Sequence, residues 1–414
     1  MIILIVCVIG IVWAILCSFI PQMNRMYLYP IIVGINRSGA SIFSPFDLLI
    51  LIVVSEVVGN QLDIYQYIQP ITNIQNYEVG DEAAAFYIKR RKTRYLLKHL
   101  GFQFFISCFF GLVISIAALL IYGDLKTIPW NSQYISVAIY VIVWGVFIWK
   151  ENNPGHCLIY CLFNILFSYL FITRFEHIDT NSLMMSFGFL LFSLNINKGK
   201  KKPADIISKD SRNLDGHLIE ESDGNVRFIS YFLSMISQYL VGIQSSVIIY
   251  QFKNTVSHID YLSMLAISKG VACSLGLTYS LMQLMSKDAA ANYLSLLLKD
   301  MRIDQVANTN LYISLILSIL IVSIISFNIY HLCIEHYIQL QNWMSQSIWQ
   351  YIPYLILGIN LVITTIYIGN ILTILPLLAA FYFLNLYRQK RQVNSLFSLT
   401  GLGILPLLTL MNLL

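Results

Sequence analysis

The sequence predicts an all-α protein that crosses a membrane about ten times. Hydrophobic residues make up 57% of the chain and charged residues only 11%, whereas an average soluble protein carries about 25% charged residues. A helix needs roughly 20 mostly apolar residues to cross the hydrocarbon layer, and runs close to that length recur along the chain. These runs lie at residues 2–20, 42–58, 102–122, 134–149, 156–173, 183–196, 228–250, 261–285, 311–334 and 346–368.

The first run predicts a retained membrane helix. No basic residue precedes it and no small-residue cleavage site follows it, unlike the pattern of a secretory signal peptide.

The distribution of basic residues predicts the orientation of the spans. With the N-terminus inside, the loops expected in the cytoplasm carry 17 Lys and Arg residues against five in the opposite loops. Cytoplasmic loops are enriched in these residues. We therefore expect a multi-pass protein of the cytoplasmic membrane. The four positive loops lie at residues 59–101, 150–155, 197–227 and 286–310.

The spans and a tail divide the chain as follows. Residues 1–173 hold spans one to five, residues 174–391 hold spans six to ten, and residues 392–414 form an apolar tail whose placement the pattern does not predict. The loop at 197–227 is polar and predicts a hairpin or a partly disordered arm. The loop at 286–310 predicts a short cytoplasmic helix, because its apolar residues recur at helical spacing.

Few residues suggest a catalytic, metal or cofactor site. His331, Cys333, Glu335 and His336 are close in sequence, but the two histidines are five residues apart and lie on different helix faces, so we interpret them as structural. Cys157 and Cys161 are interpreted as buried core residues. The chain contains no Gly-rich phosphate loop, nucleophile elbow or paired-cysteine motif. We expect no enzyme activity, no metal and no cofactor.

Charged residues inside the predicted spans are candidates for function. Asp47, Glu56 and Lys269 are the three, and placing such a group in hydrocarbon costs about 3 kcal/mol or more. A transporter would use Asp47 and Lys269 as an ion-coupled pair. Asp47 also lies near the start of its span, where it would contact water. So few charges disfavour an ion-driven carrier.

Several motifs, taken in order, resemble the SecY family of protein-conducting channels. Gly145, Trp149 and Glu151, followed by Asn153, Pro154 and Gly155, resemble the turn between spans four and five of that family. Four further stretches resemble the end of span one, the plug with the start of span two, the basic approach to span three, and the start of the eighth loop. They are SFIPQMN (18–24), SGASIFSPFDLLI (38–50), RRKTRYLLKHLGFQFF (90–105) and SKDAAANYLSLLLKDMRI (286–303).

The resemblance implies two halves of five spans around a central, hourglass-shaped pore. It assigns the apolar pore constriction to Leu51, Leu162 and Ile229, since a dry constriction blocks ions without a charged gate. It places the plug at Ser41, Ile42 and Phe43. It implies that the lateral gate between spans two and seven is lined by Ser55, Ser230, Ser234 and Gln238.

The resemblance also implies partners. A SecA-type ATPase would dock on the basic loops through Lys200, Lys201, Lys202, Lys299 and Arg302, and the channel would pass unfolded, exported polypeptide across the bilayer. A small SecE-like subunit and accessory Sec proteins are expected, and nucleic acid is not. The divergence from the family pattern suggests an accessory SecY.

Two other functions fit the same composition. A secondary transporter or lipid-linked sugar flippase would show internal repeats and intramembrane charges. A structural subunit of an envelope complex would have no pore.

Overall fold

The protein is helical throughout the residues that the structure describes. A computed structural model describes residues 2–19, 25, 43–68, 92–122, 133–174, 223–239, 245–252, 255–285, 298, 303, 307–344, 371–391, 393 and 397. Within these ranges there are helices and turns and no strand. Five helical segments there are long and apolar enough to cross a membrane. The all-α class is confirmed within these ranges, and the count of ten spans stays a prediction.

Ten α-helices lie in the described ranges. The five candidate spans fall in α1, α2, α3, α8 and α9. A 3-10 segment, Asp63–Ile68, extends α2. The helices are α1 (Ile2–Phe19), α2 (Pro45–Leu62), α3 (Thr93–Tyr122), α4 (Gln133–Trp149), α5 (Pro154–Arg174), α6 (Gly224–Tyr239), α7 (Ser245–Tyr250), α8 (His258–Met285), α9 (Thr309–Met344) and α10 (Ile371–Arg391).

Two of these helices begin with the same local sequence, Ser-x-x-Asp. At α2 the Asp47 backbone N–H donates to Ser44 Oγ over 3.2 Å, and the Ser44 N–H donates to the Asp47 carboxylate over 3.0 Å. At α8 the Asp260 N–H donates to Ser257 Oγ over 3.2 Å. Such caps satisfy N–H groups that the first helical turn leaves without acceptors.

Helices α3 and α8 pack against each other as a parallel pair at the centre of the fold. His99 lies 3.0 Å from Ser263, and Ser115 lies 2.7 Å from Thr278, so residue numbers rise together along both helices. The backbones approach closely at Gly270, because a Cβ there would lie 2.5 Å from the Phe104 carbonyl oxygen. Small residues at such contacts are typical of helix packing in membranes.

Helices α1, α2 and α9 run in the opposite direction. Along α9, Tyr330 Oη donates to the Leu97 carbonyl over 2.8 Å and Tyr312 Oη donates to the Ser115 carbonyl over 3.3 Å, so α9 is antiparallel to α3.

Helix α2 is parallel to α9, and α1 is parallel to α2. Tyr65 stacks on Tyr330, and Ser326 Oγ donates to Gln61 Oε1 over 2.7 Å. Ser18 Oγ donates to Asp63 over 3.2 Å, while eight residues earlier Gly10 packs against Val54.

The helix directions define two ends of the bundle. The proximal end holds the start of α3 and of α8, and the distal end holds the start of α1, α2 and α9. Residue 92 is therefore proximal, whereas the chain leaves α8 and enters α9 at the distal end. The described helix ends therefore place residue 92 and the passage from α8 to α9 at opposite ends of the bundle. The expectation that the loops at 59–101 and 286–310 are both cytoplasmic, which assumes that each apolar run reverses the direction of the one before it, stays a prediction.

We predict that the two ends are labelled from opposite sides of the membrane. Asn225 is exposed at the start of α6. This start is proximal, because the Asp223 N–H donates over 2.8 Å to Asp260 at the proximal start of α8. Asn310 is exposed at the distal start of α9. With native cysteines replaced, a membrane-impermeant maleimide should label Asn310→Cys in intact cells and Asn225→Cys only in inverted vesicles, because the basic loop 197–227 precedes α6. Labelling of both from one side would contradict the helix directions.

A second group of helices joins α4, α5 and α10. His156 Nδ1 lies 2.8 Å from Tyr387 Oη, which links the start of α5 to α10. Beyond α10, Phe397 packs against Phe147 with ring centroids 4.8 Å apart. Cys157 and Cys161 are buried here, as expected.

Candidate functional site: a buried charge cluster

Four charged side chains meet where α1, α2 and α8 pack together. Asp63 is at the centre. Its Oδ2 lies 2.7 Å from Arg25 Nη1 and 3.4 Å from Lys269 Nζ. Arg25 Nη2 also lies 3.5 Å from Glu56 Oε2. The cluster holds two positive and two negative groups, so it is electrically balanced when all four are ionised.

Neutral groups hold the cluster in place. Arg25 Nη2 donates to Asn60 Oδ1 over 3.0 Å, and Ser18 Oγ donates to the second carboxylate oxygen of Asp63. Trp13 Nε1 donates to the Arg25 carbonyl over 3.1 Å. Gly59 leaves room for the guanidinium, since a Cβ at that position would lie 2.6 Å from Arg25 Nη1. Arg25 is thus fixed from several directions.

The cluster lies inside the bundle, with Lys269 near the middle of one candidate span and Asp63 near the end of another. Lys269 is about 17 Å from the start of α8, a helix about 42 Å long. Its side chain is 18% exposed, and that of Asp63 is 12% exposed. Charges in such a position are expensive and pair with one another, and they mark ion or substrate pathways in membrane proteins.

A stack of aromatic rings borders the cluster on the proximal side. Tyr65 lies between Tyr330 and Tyr337, with ring centroids 4.6 Å and 4.3 Å away. Tyr65 Oη donates to the Tyr330 carbonyl, and Tyr337 Oη donates to the Tyr65 carbonyl over 2.9 Å. Phe19 meets Tyr337 edge-on. The three tyrosines are fully buried, so the stack fixes the end of α2 against α9.

We predict that Tyr65 stabilises the fold through its ring more than through its hydroxyl. Tyr65→Phe keeps the stack and loses one hydrogen bond, which should cost about 0.6 kcal/mol, the average for such bonds in membrane proteins. Tyr65→Ala should cost about 3–5 kcal/mol, as for other large buried aromatics. Reversible unfolding in micelles measures both. Equal losses for the two variants would contradict the prediction.

The structure pairs the predicted intramembrane charges differently from the sequence-based expectation. The Asp47 carboxylate accepts from Ser44 and caps the distal start of α2, so it has a structural role there. Lys269 contacts Asp63, so the pairing of Asp47 with Lys269 is replaced by a pair that sequence analysis missed. The second apolar run ends at residue 58, so hydropathy places Asp63 in the loop that follows. The first run ends at residue 20, so hydropathy places Arg25 in a loop as well.

The residues assigned to a pore lie in different surroundings. Leu51 is buried in the core, whereas Leu162 and Ile229 are exposed on the bundle surface. Phe43 is partly buried against the core, and Ser41 and Ile42 lie outside the described residues. The pore and plug assignments stay predictions.

The residues assigned to a lateral gate are placed in part. Ser55, Ser230 and Ser234 are fully buried, and the Gln238 side chain lies outside the described part. Ser55 Oγ donates to its own helix at Ile52 over 3.1 Å, and Ser230 Oγ donates to the Met264 carbonyl of α8 over 3.2 Å. Helix α6 packs mainly against α8.

The residues assigned to motor docking lie outside the described residues. They are Lys200, Lys201, Lys202, Lys299 and Arg302. The first three precede α6, which starts at the proximal end, and the last two lie between α8 and α9, which meet the distal end.

The His331–His336 segment has ordinary structural contacts in α9. Glu335 Oε1 lies 2.8 Å from Arg94 Nε, and His331 meets Phe327 edge-on at 4.4 Å. Within the described ranges, no three histidine, cysteine or acidic residues are grouped as a metal site would need.

Comparisons with known proteins add no relative. No family model, curated protein or solved structure matches the chain.

Proposed function

We propose that the chain is a membrane transporter in which two inverted repeats rearrange around the buried charge cluster. The observation that carries the proposal is the cluster of Arg25, Glu56, Asp63 and Lys269, in which Glu56 and Lys269 lie near the middle of their candidate spans. Transporters with inverted repeats hold their substrate and coupling-ion sites near the middle of the bilayer, where the repeats meet.

Matching helix starts support the two repeats. The first would contain α1, α2 and α3, and the second α6, α8 and α9. The Ser-x-x-Asp boxes of α2 and α8 are 213 residues apart, and the starts of α3 and α9 are 216 residues apart. Corresponding helices run in opposite directions, as inverted repeats require.

Matching contacts support the same relation. Gly111 of α3 packs against Ser274 of α8. The 216-residue offset carries position 111 to 327 in α9, and the 213-residue offset carries position 274 back to 61 in α2. The observed contact of α9 with Gln61 is made by Ser326, one residue away. Ser115 of α3 contacts Thr278 of α8, and the same offsets carry these positions to residues 331 and 65. The observed contact of α9 with Tyr65 is the stacking of Tyr330, again one residue away. Both agreements hold to within one residue.

The protein-conducting channel implied by the SecY resemblance is the rival proposal. It needs α2 and α6 to meet at a lateral gate, whereas α6 packs mainly against α8. Its test is crosslinking between cysteines at Ser55 and Ser234 in a cysteine-free background. Crosslinking that is lost when an export substrate is trapped would favour the channel, its SecA-type motor and its SecE-like partner.

The transporter proposal is tested by measuring which small compounds accumulate in cells that lack the protein. Cells with the wild-type chain, without it, or with Lys269→Met are compared by untargeted mass spectrometry of metabolites and lipid-linked sugars. We expect one compound class to accumulate inside cells that lack the chain or carry the variant. Lys98→Met is the matched control, because Lys98 is exposed on α3 outside the cluster. Retention of secreted proteins in place of compounds would overturn the proposal.

A further inference from the structure

We infer that Lys269 is the moving partner of the cluster, and that its ammonium group exchanges between Asp63 and Glu56 as the repeats change conformation. The inference rests on the proposed function, and it assigns a positioning role to one residue of the same site. The inference follows from which residues of the cluster correspond to each other between the two repeats.

Glu56 and Lys269 occupy corresponding positions. Each is twelve residues after the serine of its Ser-x-x-Asp box, Ser44 for Glu56 and Ser257 for Lys269. A pair of corresponding residues is carried onto itself when the repeats are exchanged. Glu56 also lies close enough to Lys269 to interact with it electrostatically, and corresponding residues that lie close together lie near the pseudo-symmetry axis, here between α2 and α8. Exchange of the repeats therefore leaves their backbone relation unchanged.

Asp63 has no such counterpart. The residue of α8 that corresponds to it is Gly276, which has no side chain to contact Glu56 or any other group. The contact of Lys269 with Asp63 therefore belongs to one arrangement of the repeats, and the opposite arrangement has no equivalent of it.

The two basic side chains differ in freedom. Arg25 uses separate nitrogens for Asp63 and Asn60 and lies against Gly59, so its planar guanidinium is fixed. Lys269 reaches Asp63 with a single compact charge on a flexible four-carbon chain. When the repeats exchange, the ammonium group of Lys269 can turn to the Glu56 carboxylate, while Arg25 stays with α2.

A buried ammonium group needs a carboxylate in both arrangements, because an unpaired charge at this depth is strongly unfavourable. Glu56 is the other acidic member of the cluster, and it contacts Arg25 at the longer distance of 3.5 Å. Exchange between Asp63 and Glu56 keeps the cluster neutral throughout. The step moves a charge within the membrane without an added ion.

The test measures two distances that the repeat relation interchanges. Spin labels are placed at Val8 with Ile325, and at Phe228 with Phe109, all exposed on the bundle surface. Ile325 and Phe109 correspond through the 216-residue offset. Gly10 packs at the Leu51 carbonyl and Ser230 donates to the corresponding Met264 carbonyl, so Val8 of α1 corresponds to Phe228 of α6. Distance distributions are recorded for the cysteine-free, full-length protein in lipid nanodiscs.

We expect Asp63→Asn and Glu56→Gln to shift the two distances in opposite senses. Asp63→Asn should favour the arrangement in which Lys269 pairs with Glu56, so that each label pair approaches the distance shown by the other. Glu56→Gln should enrich the arrangement described here, and it keeps the test informative if Asp63→Asn folds poorly. Lys269→Met should remove the difference between the two variants.

The outcomes separate this inference from the proposed function. Two populations whose balance responds equally to both variants would overturn the exchange of Lys269 and leave the transporter proposal intact. One unchanged distance in every variant, together with no retained compound in the cell comparison, would overturn both.

Discussion

Asp63→Asn is expected to destabilise the protein by about 3–5 kcal/mol, the usual range when one partner of a buried ion pair is removed. The change takes away the carboxylate that both Arg25 and Lys269 contact, and it leaves the cluster with an excess positive charge. Equilibrium unfolding in mixed micelles measures the loss.

A double variant shows whether the loss comes from charge. Asp63→Asn with Lys269→Met restores the balance of the cluster, so it should be more stable than the sum of the two single changes by at least about 1 kcal/mol. Asp47→Asn is the matched control, because Asp47 is an acidic residue of the same helix that caps its first turn, and it should cost about 1 kcal/mol or less. Additive losses at Asp63 and Lys269 would contradict an ion pair.

Gly270→Ala is expected to lower the yield of folded protein severely, because the added methyl group would lie 2.5 Å from the Phe104 carbonyl oxygen of α3. Backbone atoms cannot turn away, so α3 and α8 would have to separate along a tightly packed contact. We expect a loss of about 3 kcal/mol or more, at or beyond the upper range of overpacked cores. Size-exclusion profiles and unfolding in micelles measure it.

Two further glycines make this test specific. A Cβ at Gly111 would meet the side chain of Ser274, so Gly111→Ala should be rescued by Ser274→Gly. Gly270→Ala should not be rescued by Ser107→Gly, since the carbonyl of Phe104 remains. Gly145→Ala is the neutral control, because no atom lies within 4 Å of its added Cβ. Rescue of Gly270→Ala would mean that the helices are less closely packed than described.

Hydropathy predicted the fold class because lipid demands long apolar helices in which every backbone group is satisfied. It predicted α1, α3 and α9 well, since those runs are free of charge. It ended the second span at residue 58, because Asn60, Gln61 and Asp63 are polar. In the structure the helix continues, since Ser326 binds Gln61 and basic side chains bind Asp63.

The site needed tertiary structure for a related reason. Arg25 and Asp63 are 38 residues apart and Lys269 is 206 residues beyond Asp63, so no local pattern connects them. Counting basic residues treats each arginine as a water-exposed anchor, and Arg25 is a buried exception. The same count cannot detect parallel neighbours such as α1 and α2. The Ser-x-x-Asp sequences at 44–47 and 257–260 are the one local signal from which the equivalence of α2 and α8 could have been predicted.

The correspondence of Glu56 with Lys269 has a consequence for how such a chain could arise. A single unit of one repeat would pair with a second copy of itself inserted upside down, and the residue at this position would face its own twin. Two carboxylates or two ammonium groups would then repel each other within the membrane. Fusion of two copies into one polypeptide removes that constraint, because each copy can then change independently. Opposite charges at the axis are a device that a symmetric homodimer cannot possess.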